Sequence, residues 1–167
     1  MQIQETLDIR CVDDDPATLE AARSLIRAHL VSHPIGPESS FVERVLDALP
    51  SPYVSPEGGI WIAWAGDDPL GCVALHAISS DIGELKRVYV KPDARGRGVA
   101  RRLIERALCE ARVRGYTRLR LGTQNTAIPA QRLYESVGFR RIDAYRASDF
   151  GSVVFYELSF DVNPAAA

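Results

Sequence analysis

The segment Arg95-Gly96-Arg97-Gly98-Val99-Ala100 joins an apolar stretch, residues 85–90, to a long helical pattern, residues 99–114. A strand, a short turn of glycine and arginine, and then a helix is a device for holding phosphate. Small residues let the backbone approach the ligand. The first N–H groups of the helix have no carbonyl one turn back, so they face the anion with the helix dipole behind them. The junction therefore calls for a sheet strand on one side, a packed helix on the other, and a phosphate-bearing ligand at the turn.

The rest of the composition narrows the class. A chain of 167 residues fits one domain, 1–167, with a frayed tail over 161–167. Its formal charge of −2 argues against a general nucleic-acid binder. That mean hides an asymmetry, because residues 86–120 carry twelve Lys or Arg against three Asp or Glu. The basic segment coincides with the phosphate turn. No stretch resembles a signal peptide or reaches membrane-spanning length, so neither a membrane nor a nucleic acid is expected as a partner. Cys11, Cys72 and Cys109 are far apart and each sits in an apolar pattern, which reads as buried free thiols in a reducing cytoplasm. His29, His33 and His76 are unclustered, and no metal site is expected.

Periodicity sets out the elements. Residues 7–12 alternate as a first strand. Asp15 caps a helix that begins at Pro16 and runs to about Leu30, with Leu19, Ala22, Leu25, Ile26 and Leu30 as its apolar face. His33-Pro34-Ile35-Gly36-Pro37 breaks it, and a second helix covers 38–49. Residues 60–65 and 70–78 read as a hairpin around Gly66-Asp67-Asp68-Pro69, followed by a strand over 84–90. After the helix over 99–114 come a strand at 117–121, a helix at 129–137 closed by Gly138, and strands at 139–144 and 153–160. This order is a mixed sheet with helices packed on it. The hairpins before Glu84 contradict a dinucleotide-binding fold, which needs repeated βαβ units. A single Arg-Gly copy inside a structured segment does not make an RNA-binding tract.

Two segments flank the turn at a fixed separation: Glu84-Leu85-Lys86-Arg87-Val88-Tyr89-Val90 before it and Leu133-Tyr134-Glu135-Ser136-Val137-Gly138-Phe139 after it. Together with the turn they resemble the GNAT superfamily of acyl-CoA-dependent N-acetyltransferases. Arg95, Gly98 and Ala100 fill the family's phosphate motif, and Leu133, Tyr134, Gly138 and Phe139 fill its second signature. The resemblance spans residues 58–160 and implies an α/β (α+β) fold with a mixed, mostly antiparallel sheet splayed at the acyl-CoA site. It implies acetyl-CoA as co-substrate. The pyrophosphate would lie on the N–H groups from Gly96 through Arg97, Gly98, Val99 and Ala100 to Arg101, with charge from Arg95, Arg97 and Arg101. The main chain of Val88, Tyr89 and Val90, and the loop residue Asn125, would meet the pantetheine arm.

The chemistry implied is attack of an amine on a thioester. Tyr134 occupies the position from which family members protonate the departing thiolate; a bland reading makes it a ring packing the last helix on the sheet. Glu84 lies eleven residues before Arg95, as does the base of the histone-modifying branch, and a buried carboxyl there would have a raised pKa. Its bland reading is a strand residue paired with Lys86 or Arg87. The acceptor pocket is expected from residues 30–53 and 141–152, where Arg146 could grip a carboxylate. The resemblance to bacterial members favours a small primary amine. A protein or peptide amine, or a non-catalytic acyl-CoA sensor, stays open, as does a homodimer.

Overall fold

The computed structural model describes residues 6–160 apart from 34, 35, 37, 149 and 150. The expected tail at 161–167, the centre of the break after the first helix, and Asp149-Phe150 of the expected acceptor segment lie outside the described residues. Seven strands form one sheet: β1 (Leu7–Cys11), β2 (Gly59–Ala65), β3 (Asp68–Ala77), β4 (Ile82–Val90), β5 (Arg118–Gln124), β6 (Arg140–Ile142) and β7 (Val153–Ser159), in the order β1-β2-β3-β4-β5-β7-β6. Every pairing is antiparallel except β4 with β5. The expected mixed, mostly antiparallel sheet is present. The insertion of β7 between β5 and β6 came from no local signal, because it pairs residues some thirty to forty apart.

Four helices cover the sheet: α1 (Pro16–Val31), α2 (Ser39–Ala48), α3 (Val99–Val113) and α4 (Ile128–Val137). Asp15 caps α1 as expected, its carboxylate accepting from the Ala17 N–H at 3.1 Å. On one face, α3 and α4 pack through Val99, Leu103, Ile104, Ala107, Leu108, Ala111 and Tyr134 onto Trp61, Val73, Leu75, Leu85, Leu119 and Tyr156. On the other, α1 and α2 bury Ala22, Leu25, Ile26, Leu30, Val42 and Leu46 against Ile60, Ile62, Cys72 and Ala74. Successive side chains of a strand point to opposite faces, so Leu85 belongs to the α3 face and Glu84 to the α1 face.

Cys72 is buried, but Cys11 and Cys109 are exposed, which corrects the expectation of three buried thiols. Cys11 lies on the edge strand β1. Cys109 follows Leu108 on α3, and a step of about 100° along a helix carries it off the apolar stripe.

Candidate active site

The parallel ladder between β4 and β5 has three rungs, Ile82 with Arg118, Gly83 with Leu119 and Glu84 with Arg120. Beyond Glu84 the strands part, and β4 runs on to Val90 without β5 beside it. Two residues further on, β4 bulges: Lys86 pairs with Ala74 and Tyr89 with Cys72, so Arg87 and Val88 oppose Val73 alone. Arg87 adopts a left-handed conformation with φ 57, unusual for a residue with a side chain. The parting frees the main chain of β4 towards β5, and the bulge removes Arg87 and Val88 from the β3 ladder. A carbonyl or amide of a bound ligand can pair with that edge.

The glycine turn follows directly. A 3₁₀ turn, Pro92–Ala94, leads into Gly96 and Gly98, both at φ 75, and Gly98 is the residue from which α3 starts. A side chain at either glycine would meet no atom within 4 Å, so the backbone here faces open space. The Gly98 carbonyl takes the Arg102 N–H at 3.2 Å. The N–H groups of Val99, Ala100 and Arg101 therefore precede the first intrahelical bond and point out of the helix. The Val99 side chain is buried in the core, so its main chain alone can serve a ligand. Arg97 is exposed. Arg95 turns back: its Nε donates to the Val90 carbonyl at 3.0 Å and its guanidinium lies 5.9 Å from the Tyr89 ring. Arg101 donates to Ser136 Oγ at 2.7 Å, tying α3 to α4. These two arginines fix the cradle as well as charging it. Asn125 is exposed after β5, its N–H bonded to the Ser152 carbonyl at 2.9 Å and its carbonyl to Gln131 Nε2 at 3.0 Å.

Tyr134 sits on the buried side of α4, against the rings of Phe139 and Tyr156 at 6.0 and 6.4 Å. Of the four buried tyrosines, Tyr53 accepts from Arg87, Tyr116 donates to the Glu57 carbonyl and Tyr156 donates to Glu135. Among the described residues, the Tyr134 hydroxyl has no such partner. Burial pushes its pKa up, so the phenol holds its proton.

Glu84 is 2 % exposed and lies where β4 and β5 part. One carboxylate oxygen receives His76 Nε2 at 2.9 Å and lies 3.8 Å from Lys86 Nζ. The other receives Arg146 Nε at 3.0 Å and a short hydrogen bond from the Tyr145 hydroxyl. Burial pushes the carboxyl up, but the donors from His76, Tyr145 and Arg146 and the Lys86 charge outweigh it and hold the pKa at about 2. The expected raised pKa is thus reversed. Sequence reasoning weighed burial and could not see three hydrogen-bond donors converging on one carboxylate. His76 was within reach, since the turn at 79–83 sets it opposite Glu84. Tyr145 and Arg146, 61 and 62 residues away, were not.

The two segments expected to form the acceptor pocket do converge on β4. From one side Tyr53 bonds Arg87 and packs its ring against His76 at 5.9 Å. From the other, the β6–β7 connection lays Tyr145 against Phe155 and Arg120, and Arg146 above Gly122, where an added Cβ would come within 3.2 Å of its guanidinium. Arg120 is in turn paired with Glu157 at 2.7 Å. Arg146 is therefore bonded to Glu84 rather than standing apart as a solvent-facing cation.

A parted parallel strand pair, a glycine turn at a helix start and a buried tyrosine with no hydrogen-bond partner among the described residues lie along one opening of the sheet. Comparison with known proteins gives the family. The model of the GNAT acetyltransferase family matches residues 22–139. The uncharacterized N-acetyltransferase YsnE of Bacillus subtilis is 34% identical over 140 residues, covering 82% of this chain and 89% of its own. The N-acetylaspartate synthetase of Homo sapiens is 37% identical over 94 residues, 55% of this chain and 31% of that one. The putative acetyltransferase yncA from Salmonella typhimurium, solved with acetyl-CoA, superposes with a TM-score of 0.76 at 20% identity over 96% of this chain and 98% of that one. The chain belongs to the GNAT family and is an acetyl-CoA-dependent acetyltransferase. No helix among the described residues is long and apolar enough to cross a membrane.

Proposed function

We propose that this protein transfers the acetyl group of acetyl-CoA to the primary amine of a small molecule, by direct attack of the amine on the thioester. One observation carries the acceptor class: side chains from both flanks, Tyr53 on one and Tyr145 with Arg146 on the other, close over the same stretch of β4. Side chains anchored to β4 from both flanks suit a small acceptor, whereas an extended peptide needs an open groove. The N-acetylaspartate synthetases, similar over about half of this chain, point the same way by name, since their product is an N-acetylated amino acid.

Acetyl-CoA supplies the activated acyl group. The N–H groups from Gly96 to Arg101 would hold its pyrophosphate, and the main chain of Val88, Tyr89 and Val90 its pantetheine arm, with Asn125 at the rim. The neutral amine nitrogen bonds to the acyl carbon, the carbon–sulfur bond breaks as Tyr134 gives its proton to the leaving sulfur, and the proton that the nitrogen then sheds restores the Tyr134 phenol. A buried phenol without a protein partner is suited to this, because its hydrogen bond is left for the ligand. It also favours an enzyme over a sensor, which needs no such group. Glu84 takes a different part from the base that its spacing suggests. A carboxyl held at about 2 is a feeble proton acceptor at neutral pH. Its charge instead fixes Tyr145 and Arg146 over the acceptor side, and the amine enters already neutral. We read the protein as cytoplasmic, where the exposed Cys11 and Cys109 stay reduced, and as needing no second chain for the chemistry, a homodimer being two copies of the same unit.

The test is CoA release from acetyl-CoA across a panel of small amines, amino acids and peptides. Turnover confined to small amines supports the reading. Turnover confined to peptides or proteins, or none with any amine although acetyl-CoA binds, overturns it.

A further inference from the structure

Arg87 is the residue that the reaction so far leaves unused. It occupies the left-handed position of the β4 bulge, at φ 57. Such strain in a bulky residue persists where the surroundings hold it, and it gathers at ligand sites. The side chain is half-buried on the α1 side of the sheet, across from α3. Its Nε donates to the Tyr53 hydroxyl at 3.1 Å. Around it stand His29 and His33 of α1 and Cys72 of β3, close enough for its charge to act on all three. None of these is an anion: burial, the neighbouring His33 and the Arg87 charge push His29 down to about 3, and burial holds the Cys72 thiol at about 12. Glu84, three residues earlier, already has its oxygens bonded to His76, Tyr145 and Arg146. Among the described residues no carboxylate lies within salt-bridge distance of Arg87, whereas Arg120, Arg114 and Arg146 each have one.

We propose that the Arg87 guanidinium takes the carboxylate of the acceptor, so that the amine acetylated belongs to an amino acid or a close derivative of one. This rests on the small-amine acetyltransferase reading above. The bulge that frees the β4 main chain for the thioester also presents this guanidinium on the acceptor side, so the acceptor is gripped next to the reacting carbonyl. The Tyr53 bond fixes Nε and leaves the two terminal nitrogens as a fork, which matches a carboxylate in two parallel bonds. A site built to bond such a group discriminates against an amine without it.

The experiment measures CoA release with matched pairs, L-phenylalanine with phenethylamine and L-methionine with 3-(methylthio)propylamine. Calorimetry on the CoA-loaded protein with N-acetyl-L-phenylalanine and N-acetylphenethylamine gives the same comparison without turnover. Wild type should favour the acid, and Arg87→Gln should lower the acid-to-amine ratio by about tenfold or more. Arg87→Lys, which keeps the charge without the fork, should fall between. Tyr53→Phe keeps the ring and the arginine but frees Nε, and should move the ratio in the same direction by a smaller factor. A merely structural role would lower both members of a pair together. A wild type that favours the amine in every pair, or an unchanged ratio in Arg87→Gln and Tyr53→Phe, overturns the proposal and leaves acetyl transfer standing. Failure of wild type to bind acetyl-CoA overturns both.

Discussion

The two faces of the sheet at the β4–β5 opening are built on different principles. The α3–α4 face is one apolar cluster running from Trp61 to Phe160, to which the elements we propose for acyl-CoA, residues 88–101 and 133–139, contribute. The α1 face is apolar only under α1 and α2. Towards β5 it becomes a polar assembly of His76, Glu84, Arg120, Tyr145, Arg146 and Glu157, joined across as many as 62 residues. On the function proposed, acetyl-CoA is met by local turn and helix chemistry, and the acceptor by loops whose contacts are long-range.

The sharpest way to break this contrast is Tyr134→Phe. If the α3–α4 face performs the acid step, kcat should fall by about 10²–10⁴-fold with little change in the KM for acetyl-CoA. Steady-state kinetics with chemistry shown to limit the rate would check this. Leu103, fully buried in the same face, tests its packing. Leu103→Ala should cost about 2–5 kcal/mol in denaturant unfolding, through lost burial and the cavity left behind.

On the other face, Glu84 should matter through pH. Its folded pKa of about 2 lies below the ordinary 4.5, so its stabilisation is complete above about pH 5 and is lost as pH falls from there towards 2. The shift corresponds to roughly 3 kcal/mol. Glu84→Gln should be less stable at pH 7 and show a flatter decline over that window, measured by urea unfolding at a series of pH values. Because Glu84 stays ionised throughout the neutral range, the acid limb of kcat/KM should follow the acceptor's own ammonium pKa and stay in place in Glu84→Gln. An acid limb near neutrality that disappears in that variant would restore the base role. The smallest effect belongs to an exposed ion pair between α1 and α2, Arg27 with Glu43, at 2.5 Å. Glu43→Gln should leave the urea unfolding midpoint nearly unchanged, because solvent screens an exposed pair.

The same contrast explains what was legible in the sequence. Caps, glycines and helical periodicity are local, so α1, α3, α4 and the glycine turn before α3 could be read to within a residue or two. The parting of β4 and β5 came through the family resemblance, since neither strand carries a signal for where its pairing stops. The sequence marked 139–144 as a strand, but β6 keeps only Arg140–Ile142, because it pairs with β7 alone at the sheet edge. The Glu84 cluster and the Arg87 bulge escaped for one reason. Both depend on which residues distant in sequence arrive beside a charged group, and that sets whether burial or hydrogen bonding decides its chemistry.

The account depends most directly on acetyl-CoA lying on the Gly96–Arg101 turn. Gly98 faces open space, so a side chain there collides with nothing in the free protein, and the strain at φ 75 is common to all substitutions. Calorimetric titration of acetyl-CoA into wild type, Gly98→Ala and Gly98→Glu, each shown to be folded by circular dichroism, separates strain from occlusion. Wild type should bind, Gly98→Ala should bind more weakly, and Gly98→Glu should not bind, because its carboxylate occupies and repels the pyrophosphate position. Equal affinity in wild type and folded Gly98→Glu would contradict the account.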